Sequence, residues 1–141
     1  MSSEHDIIVS ENAPSAVGAY PHARRVGDFL FLSGVGPRQP KTNEIPGGPI
    51  QDDEGNQLDY DIRAQTHAVI NNIRVILEEY GLGLDNVIDV LVFLTDMDRD
   101  FTSYNEVYSE YFAETLPART TVAVNALPTS IAIELKVIAR V

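Results

Sequence analysis

Apolar residues recur along the chain at helical spacing in two stretches, which predicts two helices. Between residues 59 and 80, apolar side chains return every three or four positions, as on one face of a helix. A second such stretch covers residues 98–114, and we interpret its aromatic stripe as core packing. Gly81 and Pro117 follow the two stretches and are typical of helix ends.

Shorter runs of apolar and β-branched residues predict strands. Residues 22–26 and 29–33 flank a Gly-Asp pair, which is consistent with a hairpin turn. Further strands are predicted at residues 7–9, 87–95, 116–124 and 131–139. Residues 36–56 are rich in proline and glycine and predict a long loop, which in a compact domain is more often functional or mobile than structural.

The strand predicted at residues 87–95 bears on how the sheet is covered. It is apolar at nearly every position, so both of its faces should be buried. Two helices cover only one face of a sheet of five or six strands, and the sequence offers no further helix. We therefore expect an α+β fold with two helices packed on one face and another copy of the chain on the second face. The length fits one domain, residues 1–141.

Composition narrows the function classes. The net charge of −11 argues against nucleic acid as a partner, because phosphate affinity is built from Lys and Arg. No apolar run approaches the roughly 18 residues of a membrane span. The chain has no cysteine, which excludes disulfides and thiolate catalysis, and its first six residues do not resemble a signal peptide. We expect a cytoplasmic protein without a membrane partner.

Motifs for metals and cofactors are absent from the sequence. The histidines do not have a spacing typical of metal ligands. They are His5, His22 and His67. The acidic runs at residues 52–54 and 96–100 are interpreted as solvated loop and helix-start charges. The Gly-x-Gly at residues 34–36 has no helix after it, as a phosphate loop would require. We expect neither a metal nor a cofactor.

Two charged residues stand out among the apolar neighbours of the C-terminal strands. Arg119 offers a planar fork for a carboxylate, and Glu134 can hold or deprotonate a water. Glu134 and Lys136 alternate with apolar residues that should meet the helices, so both should point to the second face of the sheet. The face of Arg119 is undecided. Either the two charges form a site for a small acidic substrate, or they form a structural salt bridge.

The whole pattern resembles the RidA family, also called YjgF, of reactive-imine deaminases. The matching segments run in order along nearly the whole chain, which makes the resemblance specific. They are residues 12–14, 17–20, 31–34, 71–73, 92–97, 100–101, 104–108, 117–121 and 133–134.

The resemblance implies a chorismate-mutase-like α+β fold with a mixed six-stranded sheet, assembled as a homotrimer with sites between subunits. It also implies hydrolysis of 2-imino or enamine acids to oxo acids and ammonia, without a cofactor. Arg119 would grip the substrate carboxylate and Glu134 would position or activate water. The substrate-binding positions implied in the same way are Tyr20, Ser33, Gly34, Phe101, Asn105 and Thr121.

The chain also departs from the family pattern, which hints at a specialised pocket. Thr121 stands where many members carry cysteine, Lys136 replaces a second common acid, and the loop at residues 44–61 is longer than usual. Within the family the chain most resembles the 2-aminomuconate deaminases of aromatic-compound breakdown, with a broad imine deaminase or a non-catalytic carboxylate binder as alternatives. A dicarboxylate needs a second donor. The candidates are Arg38, His22 and Lys136.

Overall fold

The computed structural model describes residues 6–141, so the first five residues, including His5, lie outside the described part. The strands are β1 (Ile7–Ile8), β2 (Ala23–Val26), β3 (Phe29–Leu32), β4 (Val87–Leu94), β5 (Ala118–Ala123) and β6 (Ile133–Arg140), and the helices are α1 (Ile62–Glu78) and α2 (Met97–Phe112). The sheet order is β1-β2-β3-β6-β4-β5, with β4 and β5 parallel and the other neighbours antiparallel. This is the mixed six-stranded α+β fold that the sequence predicts.

The predicted hairpin is confirmed. Val26 and Phe29 are paired across the turn, and Gly27 has a φ of 60°, a left-handed conformation that glycine adopts without strain.

Aspartate caps set where the two helices begin. The Asp61 side chain accepts hydrogen bonds from the backbone N–H groups of Arg63 and Ala64, so α1 begins at Ile62, later than the apolar spacing predicts. Asp96 caps α2 in the same way, and that helix begins at Met97. Neither helix is long and apolar enough to cross a membrane, within residues 6–141.

The two faces of the sheet differ in burial, as the sequence predicts. The side facing the helices is closed, and its fully buried residues include Leu30, Leu32, Val92, Leu94, Leu135 and Val137. We call the other side the open face. It carries Phe29, Phe31, Leu91, Phe93, Val122, Glu134 and Lys136. Phe29 is 41% exposed and Phe31 37% exposed, so a single chain leaves apolar surface uncovered here.

Asp100 corrects one interpretation from the sequence, because it is not a solvated helix-start charge. It is fully buried, and it accepts hydrogen bonds from the Tyr60 hydroxyl (2.5 Å) and from Arg99 Nη1 (2.6 Å). The Arg99 guanidinium lies 3.7 Å from the centre of the Tyr60 ring. These contacts join α2 to the segment that leads into α1.

The long loop at residues 36–56 is bonded to α1 at several points. The Asn72 side chain donates to the carbonyl oxygens of Gly36 and Arg38, and Gln65 donates to Gly48. Asn72 and Gln65 are themselves buried. The loop is thereby held against the helix layer.

Candidate functional site

Arg119 lies on the edge strand β5 and is held by residues of α2. Its Nη1 donates to Asn105 Oδ1 over 2.7 Å. Its guanidinium carbon lies 4.7 Å from the centre of the Tyr108 ring and 5.6 Å from that of Tyr104. No carboxylate of residues 6–141 forms an ion pair with it. A groove of about 330 Å³ adjoins it, bordered also by Pro117.

Two other predicted residues gather beside Arg119. Thr121 Oγ1 lies 3.0 Å from the Tyr104 hydroxyl, within hydrogen-bond distance. Phe101 packs edge-on against the Tyr104 ring, with ring centres 5.8 Å apart. We call Arg119, Asn105, Thr121, Phe101 and Tyr104 the arginine cluster.

Glu134 lies on the open face and is half-buried. Its carboxylate forms no hydrogen bond or ion pair with any residue the structure describes, and burial raises the pKa of that carboxyl above its ordinary value. The backbone of Gly34 passes directly beside it. A Cβ at Gly34 would lie 2.9 Å from Glu134 Oε2, closer than van der Waals contact allows, so only glycine fits without displacing the carboxylate.

Ser33, Tyr20 and Gly34 border a small cavity, which Ile76 of α1 also lines. The Ser33 hydroxyl donates to the Pro21 carbonyl over 2.7 Å, and the Tyr20 hydroxyl accepts from the Val17 N–H over 3.2 Å. The cavity measures about 40 Å³, room for little more than a water molecule. We call Glu134, Gly34, Ser33 and Tyr20 the glutamate cluster.

The three candidate donors for a second carboxylate differ in how far they are already engaged. His22 Nδ1 accepts from the Ser10 N–H, so its Nε2 carries the proton and donates to the Pro14 carbonyl; both nitrogens are in use. Arg38 donates to Asn43 and to the Ser15 carbonyl.

Lys136 differs from these two because it lies on the open face, two positions from Glu134. Its ammonium donates to the Leu32 carbonyl, and burial lowers the pKa of the amine. It is therefore the candidate that shares a strand face with Glu134.

Arg119 and Glu134 lie on opposite sides of the sheet. Phe93 of β4 is in register with both Glu134 and Val122, so these three share the open face. Arg119 precedes Val122 by an odd number of positions and points to the helix side, where it contacts α2. Within one chain the two charges therefore form neither a salt bridge nor a shared pocket.

Sequence reasoning missed the contact of Tyr104 and Tyr108 with Arg119, because it assigned their aromatic stripe to the core alone. Both are buried, yet both ring faces also meet the guanidinium. The sequence did hold a signal for this contact. Tyr104 and Tyr108 are four positions apart, which places their side chains on one helix face, and the polar Asn105 follows Tyr104 directly.

The described residues were also compared with the requirements of a metal site. Within residues 6–141, no group of three His, Cys, Asp or Glu side chains is placed to hold a metal ion. His67 instead contacts the Tyr111 hydroxyl over 2.6 Å, on the outer surface of the helices.

Comparison with known proteins settles the family. The model of the endoribonuclease L-PSP family matches residues 10–141. The chain belongs to this family. It is the RidA/YjgF family that the sequence motifs resemble, so that resemblance is confirmed.

Relatives match over almost their whole length. A RutC family protein of Pyrococcus horikoshii is 45% identical over 134 residues, covering 95% of this chain and 96% of the relative. The 2-iminobutanoate/2-iminopropanoate deaminase of Escherichia coli K12 is 34% identical, with 94% of each chain covered.

Solved structures confirm the fold. The yjgF gene product of E. coli has a TM-score of 0.80 at 34% identity, covering 95% of this chain and 97% of that one. E. coli TdcF with bound serine has a TM-score of 0.81 at 33% identity, covering 96% and 98%.

Proposed function

We propose that the protein is a deaminase that hydrolyses small 2-imino or 2-enamino carboxylates to 2-oxo acids and ammonia, without a cofactor. The observation that supports this most is that Arg119 and Glu134, which lie on opposite sides of the sheet, each lack an ionic partner within the described chain. The relatives add support, since one is a deaminase of two short 2-imino acids and another holds serine, itself a small 2-amino carboxylate.

The active site is proposed to form between copies of the chain in a homotrimer. The open face leaves Phe29 and Phe31 partly exposed, and covering them with another copy would remove apolar surface from water. Arg119 lies on an edge strand, where a neighbouring copy can approach it. A closed ring of three would bring Glu134 of one copy toward Arg119 of the next at every interface.

The proposed reaction assigns each cluster a separate step. Arg119 binds the carboxylate next to C2, and an enamine substrate first tautomerises to its imine. Glu134 takes a proton from water as the water oxygen bonds to C2, and the raised pKa of its carboxyl makes it a stronger base. That proton passes to the nitrogen, which gives a carbinolamine. The hydroxyl proton of the carbinolamine is then transferred to the nitrogen, the C–N bond breaks as the C=O bond forms, and ammonia and the 2-oxo acid leave. Asn105 or the backbone at Ser33 and Gly34 would orient the water or the amine.

We propose 2-aminomuconate as the preferred substrate, in the breakdown of aromatic compounds. This conjugated dicarboxylate needs a second cation, and Lys136 is the candidate because it shares the open face with Glu134. Its ammonium currently donates to a single carbonyl, which leaves further donors for a carboxylate.

A steady-state assay of ammonia release from freshly generated 2-aminomuconate and 2-aminoacrylate tests both the deaminase activity and the substrate preference. Arg119→Ala should lower kcat/KM on both substrates by about ten- to a hundredfold, the cost of a charged hydrogen bond. Arg63→Ala, which removes an exposed arginine paired with Glu106 between the helices, is the control and should leave kcat/KM unchanged. Near-native turnover by Arg119→Ala would contradict the role of that residue.

The substrate preference has its own variant. Lys136→Met should lower kcat/KM on 2-aminomuconate and spare 2-aminoacrylate, which has no distal carboxylate. Equal effects on the two substrates would remove 2-aminomuconate as the preferred substrate and leave the imine deaminase standing.

A further inference from the structure

Among residues 6–141, the groups that hold Arg119 are uncharged, although the whole chain has 21 acidic and 10 basic residues. Arg63 and Arg99 show the commoner arrangement, since each pairs with a carboxylate. Arg119 instead contacts the Asn105 amide oxygen and the ring faces of two tyrosines. Because no protein anion neutralises it within the described residues, its charge stays available for an incoming carboxylate.

Tyr108 is the closer of the two rings, and its hydroxyl has no evident use. The residue is 6% exposed, and its hydroxyl is buried without a hydrogen-bond partner among the described residues. Burial raises the pKa of Tyr108 to about 12, so the phenol is neutral at physiological pH and forms no ion pair with the guanidinium. The Tyr104 hydroxyl, in contrast, is within hydrogen-bond distance of Thr121. What Tyr108 supplies to Arg119 is therefore its ring face.

We propose that Tyr108 is a positioning residue: its ring holds the Arg119 guanidinium, together with Tyr104 and Asn105, in the orientation that receives the substrate carboxylate. This rests on the proposed function, in which Arg119 binds that carboxylate. A cation above an aromatic face is attracted by the ring quadrupole, so the rings restrict the side chain without consuming its charge. Asn105 accepts a single N–H, and the remaining donors are left for the ligand.

Three variants distinguish the effect of the Tyr108 ring on binding from the effects of its hydroxyl and of the stability of α2. Tyr108→Leu removes the ring, Tyr108→Phe removes only the hydroxyl, and Val107→Ala creates a cavity at the fully buried preceding residue of α2. For each, the KM for an imine substrate, kcat and the dissociation constant of the stable product 2-oxobutanoate are measured together with Tm.

Tyr108→Leu should raise both KM and the dissociation constant by about two- to thirtyfold, with a smaller change in kcat, because a cation–π contact is lost. Tyr108→Phe should stay within about twofold of the wild type, since the ring face is kept. Val107→Ala should lower Tm and leave KM unchanged.

Each of three results would overturn the proposal: native-like binding by Tyr108→Leu, an equal loss in Tyr108→Phe, or an equal rise of KM in Val107→Ala. The last would show that binding follows the stability of α2.

The NMR signal of the Arg119 Nε–H group tests, without any substrate, whether the Tyr108 ring holds the guanidinium. It should carry a ring-current shift in the wild type and in Tyr108→Phe, and lose it in Tyr108→Leu. A shifted signal in a protein that hydrolyses no imine would refute the proposed function and leave the positioning role standing. An active enzyme with the same signal in all three proteins would refute the positioning role alone.

Discussion

At the scale of single residues, the setting of Glu134 is the feature with the clearest chemical consequence. Its carboxylate is half-buried, lacks a partner within residues 6–141, and has its pKa raised by loss of solvent. A carboxylate in this setting is costly to keep ionised and is a better base when it is ionised.

Glu134→Gln should therefore abolish deamination while stabilising the fold at neutral pH. A carboxyl with a raised folded pKa contributes stability below its unfolded pKa, and this contribution is lost as the pH rises through the folded pKa. The gain in Tm of Glu134→Gln over the wild type should thus be larger at pH 8 than in acid. A Tm below the wild type at pH 8 would contradict the desolvated setting.

The same carboxyl should shape the pH dependence of the reaction. Because the base must be ionised, kcat/KM should fall toward acid with an apparent pKa above the ordinary glutamate value. An acid limb at or below the ordinary value would argue against Glu134 as the base.

Gly34→Ala should disturb Glu134 without touching it chemically. The added methyl would lie 2.9 Å from Glu134 Oε2, so the carboxylate must move, and kcat should fall by about tenfold or more. Gly83→Ala is the matched control, since a Cβ there meets no atom within 4 Å and should leave kcat unchanged. Unchanged kcat in both variants would show that the placement of Glu134 is not critical.

Sequence reasoning could select Arg119 and Glu134 but not how they relate in space. Charges among apolar strand residues are visible in the sequence, and strand alternation correctly places Glu134 on the face away from the helices. Alternation gives only relative sides within a strand, so the side of Arg119 required the register of β5 against β4.

At the scale of elements, a buried polar contact links the approach to α1 with the first turn of α2. Asp100 accepts from Tyr60 and Arg99, and the sequence could not reveal this because acids in a first helical turn usually face solvent. The first residues of α1 and α2 were likewise not given by the apolar spacing, because Asp61 and Asp96 cap the helices. Each aspartate accepts from backbone N–H groups of the first turn and so sets where its helix begins.

Asp100→Asn should destabilise the protein by about 3 kcal/mol, because it breaks a buried charged contact and leaves donors facing one another. Asp98→Asn, at an exposed position in the same helical turn, should cost about 0.5 kcal/mol. Urea unfolding of the two variants measures the difference. Equal losses would mean that the buried contact contributes no more than the helix dipole.

At the scale of the whole molecule, the sheet has one face covered by helices and one face that a single chain leaves open. The sequence predicted this arrangement in two steps. The strand at residues 87–95 is apolar at nearly every position, so both of its faces should be buried, and two helices can cover only one of them. The fold followed from a resemblance along the whole chain and is confirmed by solved relatives. The partner of the open face stays a prediction, because strand alternation and apolar surface do not determine how copies meet.

The central claim is that one active site uses Arg119 from one copy and Glu134 from another. Alone, Arg119→Ala should retain no more than about a tenth of wild-type activity and Glu134→Gln essentially none. The decisive measurement is therefore the deaminase activity of assemblies formed by co-expressing the two in equal amounts. Random mixing should give about a quarter of wild-type activity, since half the copies supply each intact residue at a given interface. Mixed assemblies as inactive as either variant alone would contradict the shared site.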